Sequence, residues 1–454
     1  MASGPNHARA VQEPDPDGYP PPRRAWYLVA VLTGASIFAF IDRQILSLLV
    51  APIRRDLEIS DTQMSLLLGA GFAVCFTLFA IPIGRFADRR SRRAVLASGL
   101  AGWSFCTAGA GLARTFGQMM LFRMGVGIGE ASLGPCSYSI IHDLFPQGRR
   151  ATALSVFSTG ISIGTGVAFL AGGLVIQFAS GRSNWSLPLV GAVRPWQLVM
   201  LEVGLAGLVF GSLLWTIREP VRCGASGQKV PLPQVLAYLA RNRRTFLCHN
   251  LGVAALAMAG TAGIAWFPEM FRRHFHWSIP KFGAYFGIEV VVFGCLGIVA
   301  AGRIADRLCH RMKDANLVVL ATIPTLLIPI SSAVFLAPSG EWAIGWLAPC
   351  AALMAAPYGV AAAALQQALP GSIRSQVTAL YLLVSNVVGA AVGPTLTAVL
   401  TEHVFGREDS LHYSLLIVHV AALGLGTTLL WSGRAAFVET LKRLESEAAS
   451  VCLG

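Results

Sequence analysis

Apolar residues occur along the chain in long runs that are separated by short polar segments. A membrane-spanning α-helix needs about 20 predominantly apolar residues, and twelve runs are of that order. The predicted spans cover residues 25–50, 62–85, 93–113, 116–141, 151–179, 196–217, 245–271, 280–303, 315–337, 341–369, 376–403 and 411–433. The pattern predicts an all-α integral membrane protein with twelve transmembrane helices, six in each half of the chain.

The polar segments divide the chain into five predicted parts. Residues 1–24 are rich in Pro, Asp and Gly and contain no apolar run, which favours a disordered cytoplasmic tail over a signal peptide. The predicted parts are this tail (1–24), an N-terminal six-helix bundle (25–217), a cytoplasmic linker (218–243), a C-terminal six-helix bundle (244–434) and a cytoplasmic C-terminal tail (435–454).

Composition agrees with the span pattern. The 454 residues are 54% hydrophobic and 13% charged, whereas soluble domains carry about 25% charged residues. The nine cysteines have no CxxC spacing, so we expect neither disulfides nor a metal site, and no motif implies a cofactor. The net charge of +12 is typical of arginine-rich cytoplasmic loops and does not require a nucleic-acid partner. Most Lys and Arg residues fall on the side of the N-terminus, which predicts that both termini are cytoplasmic.

One charged turn occurs twice. The segment GRFADRRSRR spans Gly84 to Arg93 and follows predicted span 2, and GRIADRLCHR spans Gly302 to Arg311 and follows span 8. A second repeat, Thr-Ala-Leu, begins spans 5 and 11 at Thr152 and Thr378. Two repeats with similar offsets indicate a duplicated six-helix unit. Such duplication is typical of secondary transporters, whose binding cavity lies between the halves.

The charged turn resembles the signature of the major facilitator superfamily, Gly-x-x-x-Asp-Arg/Lys-x-Gly-Arg/Lys-Arg/Lys. The matching positions are Gly84, Asp88, Arg89, Arg92 and Arg93, with Gly302, Asp306 and Arg307 in the second copy. Ser91 stands where the signature has glycine. A further signature of the family, Arg-x-x-x-Gly-x-Gly, occurs in predicted span 4 at Arg123, Gly127 and Gly129.

Two more segments resemble the Spinster family of lipid transporters. Span 1 contains FAFIDRQILS, with Asp42 and Arg43 deep in the apolar run, and span 4 contains RMGVGIGEAS, with Arg123 and Glu130. The resemblance implies proton-linked movement of lysophospholipids or sphingoid lipids by alternating access. It also implies that these four residues serve proton coupling, in a monomer in the cell (inner) membrane.

The four charged residues need partners because an ionisable group inside a bilayer costs about 2.5–3.5 kcal/mol. Asp42 and Arg43 point about 100° apart on a helix, so neither satisfies the other. Arg123 and Glu130 are seven residues apart and share one helix face. The helix rise of 1.5 Å per residue puts Asp42 near the depth of Arg123, with Glu130 deeper toward the cytoplasm. We therefore predict an Asp42–Arg123 pair with Glu130 lower on the same wall.

This cluster has three interpretations. If movement of the two halves carries Asp42 or Glu130 on and off an arginine, proton binding is coupled to conformation. Alternatively, the charges are static ion pairs that only determine helix packing. Arg43 and Arg123 can also bind an anionic headgroup.

The signature turns have their own alternatives. Asp88 can cap a helix or pair with an arginine across the two halves, so that the turn residues Gly84, Asp88, Arg89, Arg92, Arg93, Asp306 and Arg307 hold the cytoplasmic side closed. For Arg92 and Arg93, an equally good interpretation is that they only keep the loop in the cytoplasm.

The second half suggests the substrate class. Spans 10 and 11 have no charge in their interiors, so one cavity wall is charged and the other apolar, as an amphiphile requires. Tyr358 and Asn386 are candidate hydrogen-bond donors there, or else ordinary packing residues. Glu289, in span 8, is either a second titrating group or lies near the outer boundary.

A lipid transporter is the function we predict, with a proton-linked carrier of small organic anions or drugs as the alternative. A lipid receptor that transports nothing is a further rival. An enzyme is not predicted. The match of Gly160-Ile-Ser162-Ile-Gly164 to the GxSxG esterase motif lies inside a glycine-rich span, whereas the motif requires a strand–turn–helix elbow.

Overall fold

The computed structural model describes residues 19–180, 185–187, 191–220, 230–370 and 373–453. Almost all of them are helical. The helices of the first half are α1 (Pro22–Leu48), α2 (Val50–Leu57), α3 (Asp61–Ser65), α4 (Gly71–Arg89), α5 (Arg92–Ala110), α6 (Phe116–Glu130), α7 (Leu133–Leu144), α8 (Gln147–Ser180) and α9 (Pro195–Gly211). A π-helical segment, Leu66–Ala70, joins α3 to α4, and a 3₁₀ segment, Ser212–Thr216, extends α9.

The second half repeats this plan. Its helices are α10 (Leu232–Arg241), α11 (Arg243–His274), α12 (Ile279–Cys309), α13 (Ala315–Phe335), α14 (Gly340–Ala355), α15 (Pro357–Gln367), α16 (Arg374–Asn386), α17 (Gly393–Val399) and α18 (Leu411–Leu453). The π-helical segments Val387–Val392 and Leu400–Phe405 flank α17, and a 3₁₀ turn, Glu408–Ser410, precedes α18. Between α8 and α9, β1 (Trp185–Leu187) pairs antiparallel with β2 (Gly191–Val193), with Trp185 opposite Val193.

Within the described residues, ten helical segments are long and apolar enough to cross a bilayer. They are Pro22–Leu48, Asp61–Ala87, Thr152–Phe178, Pro195–Thr216, Arg243–His274, Ile279–Cys309, Ala315–Phe335, Gly340–Gln367, Gln376–Phe405 and Glu408–Ser446. The third and fourth predicted spans coincide with α5 and with α6 and α7. The predicted all-α membrane fold is confirmed, while the count of twelve spans, the domain boundaries and the cytoplasmic termini stay predictions.

The helices add detail to several of the predicted segments. Span 4 is two helices, because α6 ends at Glu130 and Pro135, which lacks an N–H donor, lies in the first turn of α7. Span 10 is interrupted in the same way before Pro357, the first residue of α15. Residues 22–24 of the predicted disordered tail form the start of α1. The predicted linker contains α10, and α18 continues through the predicted C-terminal tail to Leu453.

The bundle has two ends, which we name by the turns. The turn end carries both arginine-rich turns, after α4 and after α12. The distal end is the opposite one, where α1 passes into α2 and where α12 and α18 begin. These names do not depend on which side of the membrane each end faces.

Glycine allows the two halves to approach closely along α8 and α12. A Cβ atom on Gly283 would lie 2.3 Å from the carbonyl oxygen of Phe169, and one on Gly287 would lie 2.7 Å from that of Gly166. The second contact between the halves joins the π-helical segments Leu66–Ala70 and Val387–Val392, where a Cβ on Gly69 would lie 1.9 Å from the carbonyl oxygen of Ala390. Any side chain at these glycines would push the halves apart.

Candidate functional site

Asp42 and Arg123 form the first of two buried ion pairs between α1 and α6. Arg123 Nη1 lies 3.8 Å from Asp42 Oδ1, and the side chains are 1% and 3% exposed. Thr107 of α5 donates a hydrogen bond to Asp42 Oδ2, and Arg123 Nε donates to the carbonyl of Leu67 at 3.2 Å. The structure therefore places Asp42 beside Arg123, as the depth argument predicts.

Arg43 and Glu130 form the second pair. Arg43 Nε donates to Glu130 Oε2 at 2.6 Å, and Nη2 lies 2.5 Å from the same oxygen. Glu130 is fully buried, whereas the Arg43 side chain is 22% exposed. The Arg43 guanidinium also lies over the rings of Phe40, Phe72 and Phe76, with centroids at 4.9, 4.4 and 5.2 Å. Arg43 is thus the member of the cluster that is most accessible to a ligand.

The two positive and two negative charges cancel, but the hydrogen-bonding capacity of the four side chains is not fully used. Asp42 Oδ1, Arg123 Nη1 and Glu130 Oε1 are buried and have no hydrogen-bond partner among the described residues. A distance of 3.8 Å between Arg123 and Asp42 is electrostatic contact, not a hydrogen bond. A short movement of α1 relative to α6 would therefore change which groups are paired.

Tyr358 and Asn386, the predicted substrate-binding residues, lie in the second half. Tyr358 on α15 is 61% exposed, and an electrostatic interaction links it to Arg43 in the first half. Asn386 uses its amide to donate to the carbonyl of Leu382 in its own helix at 2.9 Å. Tyr358 is thus exposed to a ligand, whereas Asn386 is engaged within its own helix.

The first signature turn is built into a network at the turn end. Ser91 caps α5 by accepting from the Ala94 N–H at 3.2 Å, and its hydroxyl donates to Glu219. This capping role explains why serine serves at the glycine position of the signature. Arg93 Nη1 donates to the carbonyl of Ile217 at 2.9 Å.

Arg92 is the centre of this network and is not merely a topology signal. Its side chain is 4% exposed, pairs with Asp143 of α7 and donates from Nε to Glu219 Oε1 at 3.2 Å. Nη1 also donates to Ser139 Oγ at 2.9 Å. The Arg92 side chain thereby ties α5 to α7 and to Glu219, which follows the 3₁₀ segment after α9.

We expect the stability of the turn end to depend on pH through Glu219. Burial raises the pKa of Glu219, but hydrogen bonds from Ser91 and Arg92 outweigh burial and hold it below its ordinary value. Ionised Glu219 therefore contributes its full stabilisation above the unfolded-state pKa of about 4.3. This contribution to the free energy of unfolding is lost as the pH falls through the lower folded-state pKa. We expect Glu219→Gln to cost about 1–3 kcal/mol at pH 7, measured by thermal unfolding, with a difference that shrinks below pH 4.

Glu445→Gln is the matched control, because Glu445 is a 55% exposed partner of Lys313 and should change stability by less than about 1 kcal/mol. Equal effects of the two variants at pH 7 would contradict a special role for Glu219.

The remaining turn residues have fewer contacts. The side chain of Asp88 lies outside the described residues, and its cap or inter-half pair stays a prediction. Gly84 lies against Pro135 of α7, and Arg89 is exposed. Asp306 and Arg307 are exposed, and no ion pair between described residues includes them. Among the described residues, Asp306 and Arg307 of the second copy of the turn therefore form no ion pair across the halves.

A cluster that sequence reasoning missed joins the two halves at the distal end. We call Arg54, Asp61, Glu269, Arg273 and Glu408 the distal ion-pair cluster. Arg273 donates from Nη1 and Nη2 to the two carboxylate oxygens of Asp61 at 2.7 and 2.8 Å, and from Nε to Glu269 at 2.8 Å. Asp61 and Arg273 are each 4% exposed and Glu269 is fully buried. This bidentate geometry is the strongest that an arginine and a carboxylate form.

Two further contacts close the distal end. Arg54 lies 3.0 Å from Asp61 in its own half and donates to Glu408 of the other half at 3.0 Å. The N–H and hydroxyl of Thr62 donate to Glu402 at 2.9 and 2.7 Å. Of the ion pairs between described residues, both that join the halves, Arg54–Glu408 and Arg273–Asp61, are distal.

Local sequence signals existed for this cluster. Ser60 and Gln63 form a capping box that predicts a helix start at Asp61, and Glu269 precedes Arg273 by one helical turn. Neither signal predicts that Asp61 and Arg273, which are 212 positions apart, form an ion pair.

The described residues contain no group of three or more His, Cys, Asp or Glu side chains that could hold a metal ion.

Comparison with known proteins identifies the architecture. The model of the Major Facilitator Superfamily matches residues 32–394. An MFS-type efflux pump of Mycolicibacterium smegmatis (strain ATCC 700084 / mc(2)155) is 28% identical over 92% of this chain and 94% of its own. The sphingosine-1-phosphate transporter SPNS2 of Danio rerio is 27% identical over 63% of this chain and 57% of its own.

A solved structure has the same fold. It is a bacterial homologue of the human lysosomal transporter Spinster in an inward-facing, unoccupied conformation. The two structures superpose with a TM-score of 0.79, covering 93% of this chain and 99% of the other, at 24% identity.

Proposed function

Because the chain belongs to the Major Facilitator Superfamily, whose members are membrane transporters rather than enzymes, we propose that it is a proton-coupled secondary transporter of amphiphilic lipids. It is a multi-pass integral membrane protein, and we assign it to the cell (inner) membrane. Its substrates are single-chain lipids of the lysophospholipid or sphingoid type, moved by alternating access, with the protein acting as a monomer.

The observation that carries the proposal is the cluster of Asp42, Arg43, Arg123 and Glu130 between α1 and α6. Three of its buried polar atoms have no hydrogen-bond partner among the described residues. Protonation of Asp42 would neutralise its charge and release Arg123, whose Nη1 already lacks a hydrogen bond among the described residues. Arg123 would then be free to shift toward Glu130, which shares its helix face, and this would loosen the Arg43–Glu130 pair. Arg43, with its 22% exposed side chain, would become available to an anionic headgroup.

Closure of the distal end supports alternating access. The two ion pairs between the halves hold the distal end shut, and no comparable pair between described residues holds the turn end. We therefore assign this conformation to the state that is open at the turn end. In the opposite state the distal ion-pair cluster would separate and the signature turns would meet, which is where Asp88, Asp306 and Arg307 would act.

The two cavity walls favour an amphiphile. The first half contributes the charged cluster, with Arg43 ringed by three phenylalanines. The second half contributes the exposed Tyr358 and no charged side chain within the interiors of α14 to α17. A headgroup can lie against the first wall while an acyl chain follows the second. The zebrafish sphingosine-1-phosphate transporter supports the same class of substrate.

The alternative is a proton-linked carrier of small organic anions or drugs. The similarity to an efflux pump over nearly the whole chain favours it. Both functions use the same charged cluster, so only the choice of cargo separates them.

Flux in proteoliposomes decides between the two. We expect the purified protein to move a fluorescent lysophospholipid or a sphingoid phosphate across the bilayer, with a rate that changes when the pH gradient is reversed. Transport of small aromatic anions without movement of lipid would favour the alternative, and lipid flux that ignores the pH gradient would refute proton coupling. Vesicles without protein provide the background, because single-chain lipids also cross bilayers unaided.

A further inference from the structure

A cavity lies at the distal end, and none of the four-charge cluster residues lines it. It has a volume of about 690 Å³ and is formed by both halves of the molecule, which is within the range of about 300–1,000 Å³ for ligand pockets. Its lining residues from the first half belong to α1, α2, α8 and α9, and those from the second half to α11, α12 and the 3₁₀ turn before α18. We call it the distal pocket.

The floor of the distal pocket is apolar. Three helices of the first half and one of the second contribute to it, through Leu48, Ile176, Trp196, Val199 and Ile279. A hydrogen bond holds two of the lining helices together. Trp196 Nε1 donates to Asp56 Oδ2 at 2.8 Å and thereby ties α9 to α2. The floor can therefore hold a hydrocarbon chain without rearrangement.

The rim of the distal pocket carries both signs of charge. Arg55 is 78% exposed, and its one ion pair with a described residue is with its neighbour Asp56, at 3.2 Å. Arg272 is 38% exposed while it binds Glu269. Glu58 is exposed, and no ion pair between described residues includes it. Two accessible guanidinium groups and one accessible carboxylate match a headgroup with a phosphate and an ammonium.

We propose that the distal pocket is a binding site for a single-chain phospholipid with a zwitterionic headgroup. The proposal rests on the proposed function, since it assigns this site to the same class of lipid after its release at the distal end. The phosphate lies at Arg55 and Arg272, the ammonium lies at Glu58, and the acyl chain occupies the apolar floor.

Occupancy of the distal pocket would affect the transport cycle. A lipid that touches Val199 in one half and Ile279 in the other bridges the same two bodies as the distal ion-pair cluster. Arg54 and Glu408 belong to both the cluster and the pocket lining. Bound lipid therefore stabilises the closed distal end, so accumulated product slows further transport.

Photo-crosslinking of the full-length protein in nanodiscs tests the site. The probe is a lysophosphatidylcholine with a diazirine on its acyl chain, and cross-linked peptides are mapped by mass spectrometry. We expect cross-links to the segments around Ile176 and Val199. Ile176→Trp fills the floor and should reduce these cross-links about tenfold, because the acyl chain loses its apolar contacts there.

Headgroup variants test the rim. Arg55→Gln should weaken cross-linking at the distal pocket about tenfold, because a charge-assisted hydrogen bond is worth about 1.5–3 kcal/mol. Glu58→Gln should remove the preference for lysophosphatidylcholine over a photoreactive lysophosphatidylglycerol, whose headgroup has no ammonium. Arg407→Gln is the matched control for charge, because Arg407 is 72% exposed, distal and paired with Asp409 in its own half. Leu174→Trp is the control for bulk, because Leu174 is 62% exposed on the same helix as Ile176.

The outcomes separate this site from the proposed function. Cross-links at the distal pocket that Ile176→Trp and Arg55→Gln remove, and that the two controls leave unchanged, support the site. Absence of distal cross-links, or equal loss in variants and controls, overturns it. A protein that moves lipid but gives no distal cross-link refutes the site alone, whereas distal cross-links without any lipid flux refute the proposed function and leave the site standing.

Discussion

Replacement of Asp42 by Asn is expected to abolish accumulation of substrate against its gradient while the protein stays folded. Asparagine keeps the shape of the side chain and can still accept the hydrogen bond from Thr107, but it cannot bind and release a proton. A gradient of one pH unit stores about 1.4 kcal/mol per proton, which supports about tenfold accumulation if one proton is coupled. The variant should show no accumulation, while it still exchanges substrate down its gradient.

Folding should survive because the remaining charges compensate in part. In Asp42→Asn, Arg123 keeps its hydrogen bond to the Leu67 carbonyl and its electrostatic attraction to Glu130. Size-exclusion chromatography and thermal unfolding check this directly.

Two variants serve as comparisons for Asp42→Asn. Thr107→Val removes the hydroxyl donor but leaves the carboxylate, so it should shift the pH profile of transport without abolishing the coupling. Glu341→Gln changes a carboxylate that is 67% exposed and pairs with Lys281, and it should have no effect on coupling. Accumulation that persists in Asp42→Asn under a pH gradient would disprove the role of this carboxylate and favour a static ion pair.

Replacement of Asp61 by Asn should open the distal end. Asp61 is the only side chain that Arg273 binds across the halves with two hydrogen bonds within the described part of the chain. Removal of one partner from a buried ion pair costs about 3–5 kcal/mol, which changes a conformational equilibrium by on the order of a hundredfold or more. The distal-closed state loses this energy, whereas the distal-open state, in which the pair is already separated, does not.

Thiol labelling measures this change of population. Ser65→Cys places a probe at a fully buried position of α3, a helix that packs against α17 of the other half. In a background without native cysteines, a membrane-impermeant maleimide should label this cysteine much faster when Asp61→Asn is added. Asp409→Asn is the control, because Asp409 is distal and 54% exposed but pairs only with Arg407 in its own half. Identical labelling rates in both variants would show that Asp61 does not hold the distal end closed.

Much of the architecture could be predicted because the bilayer restricts the choices. Backbone polar groups in hydrocarbon must bond within their own segment, so each apolar run of sufficient length forms a helix. The duplicated turn at Gly84 and Gly302 then indicated two related bundles, and its residues identified the superfamily. Hydropathy did not predict the interruptions within spans 4 and 10, which lie next to Pro135 and Pro357 and break the α-helix without ending the apolar run.

The candidate site was predictable in part. A charge deep in an apolar run is costly, so Asp42, Arg43, Arg123 and Glu130 could be recognised without a structure, and depth alone related Asp42 to Arg123. The pairing of Arg43 with Glu130 and the donor Thr107 on α5 could not be recognised, because they depend on the rotation of three helices. Arg92 was undervalued because its partners lie on other segments, 51 and 127 positions away.

By itself, the sequence determined that this protein lies in a membrane, that it is a doubled helical bundle, and which charges are buried deeply in it. Those properties follow from local composition, because the hydrocarbon layer acts on every segment separately. Only the tertiary structure decided which charges meet, that ion pairs join the two halves at the distal end, and that a pocket lies beside them. These depend on how segments distant in sequence are rotated and staggered against one another, which no local pattern of residues encodes.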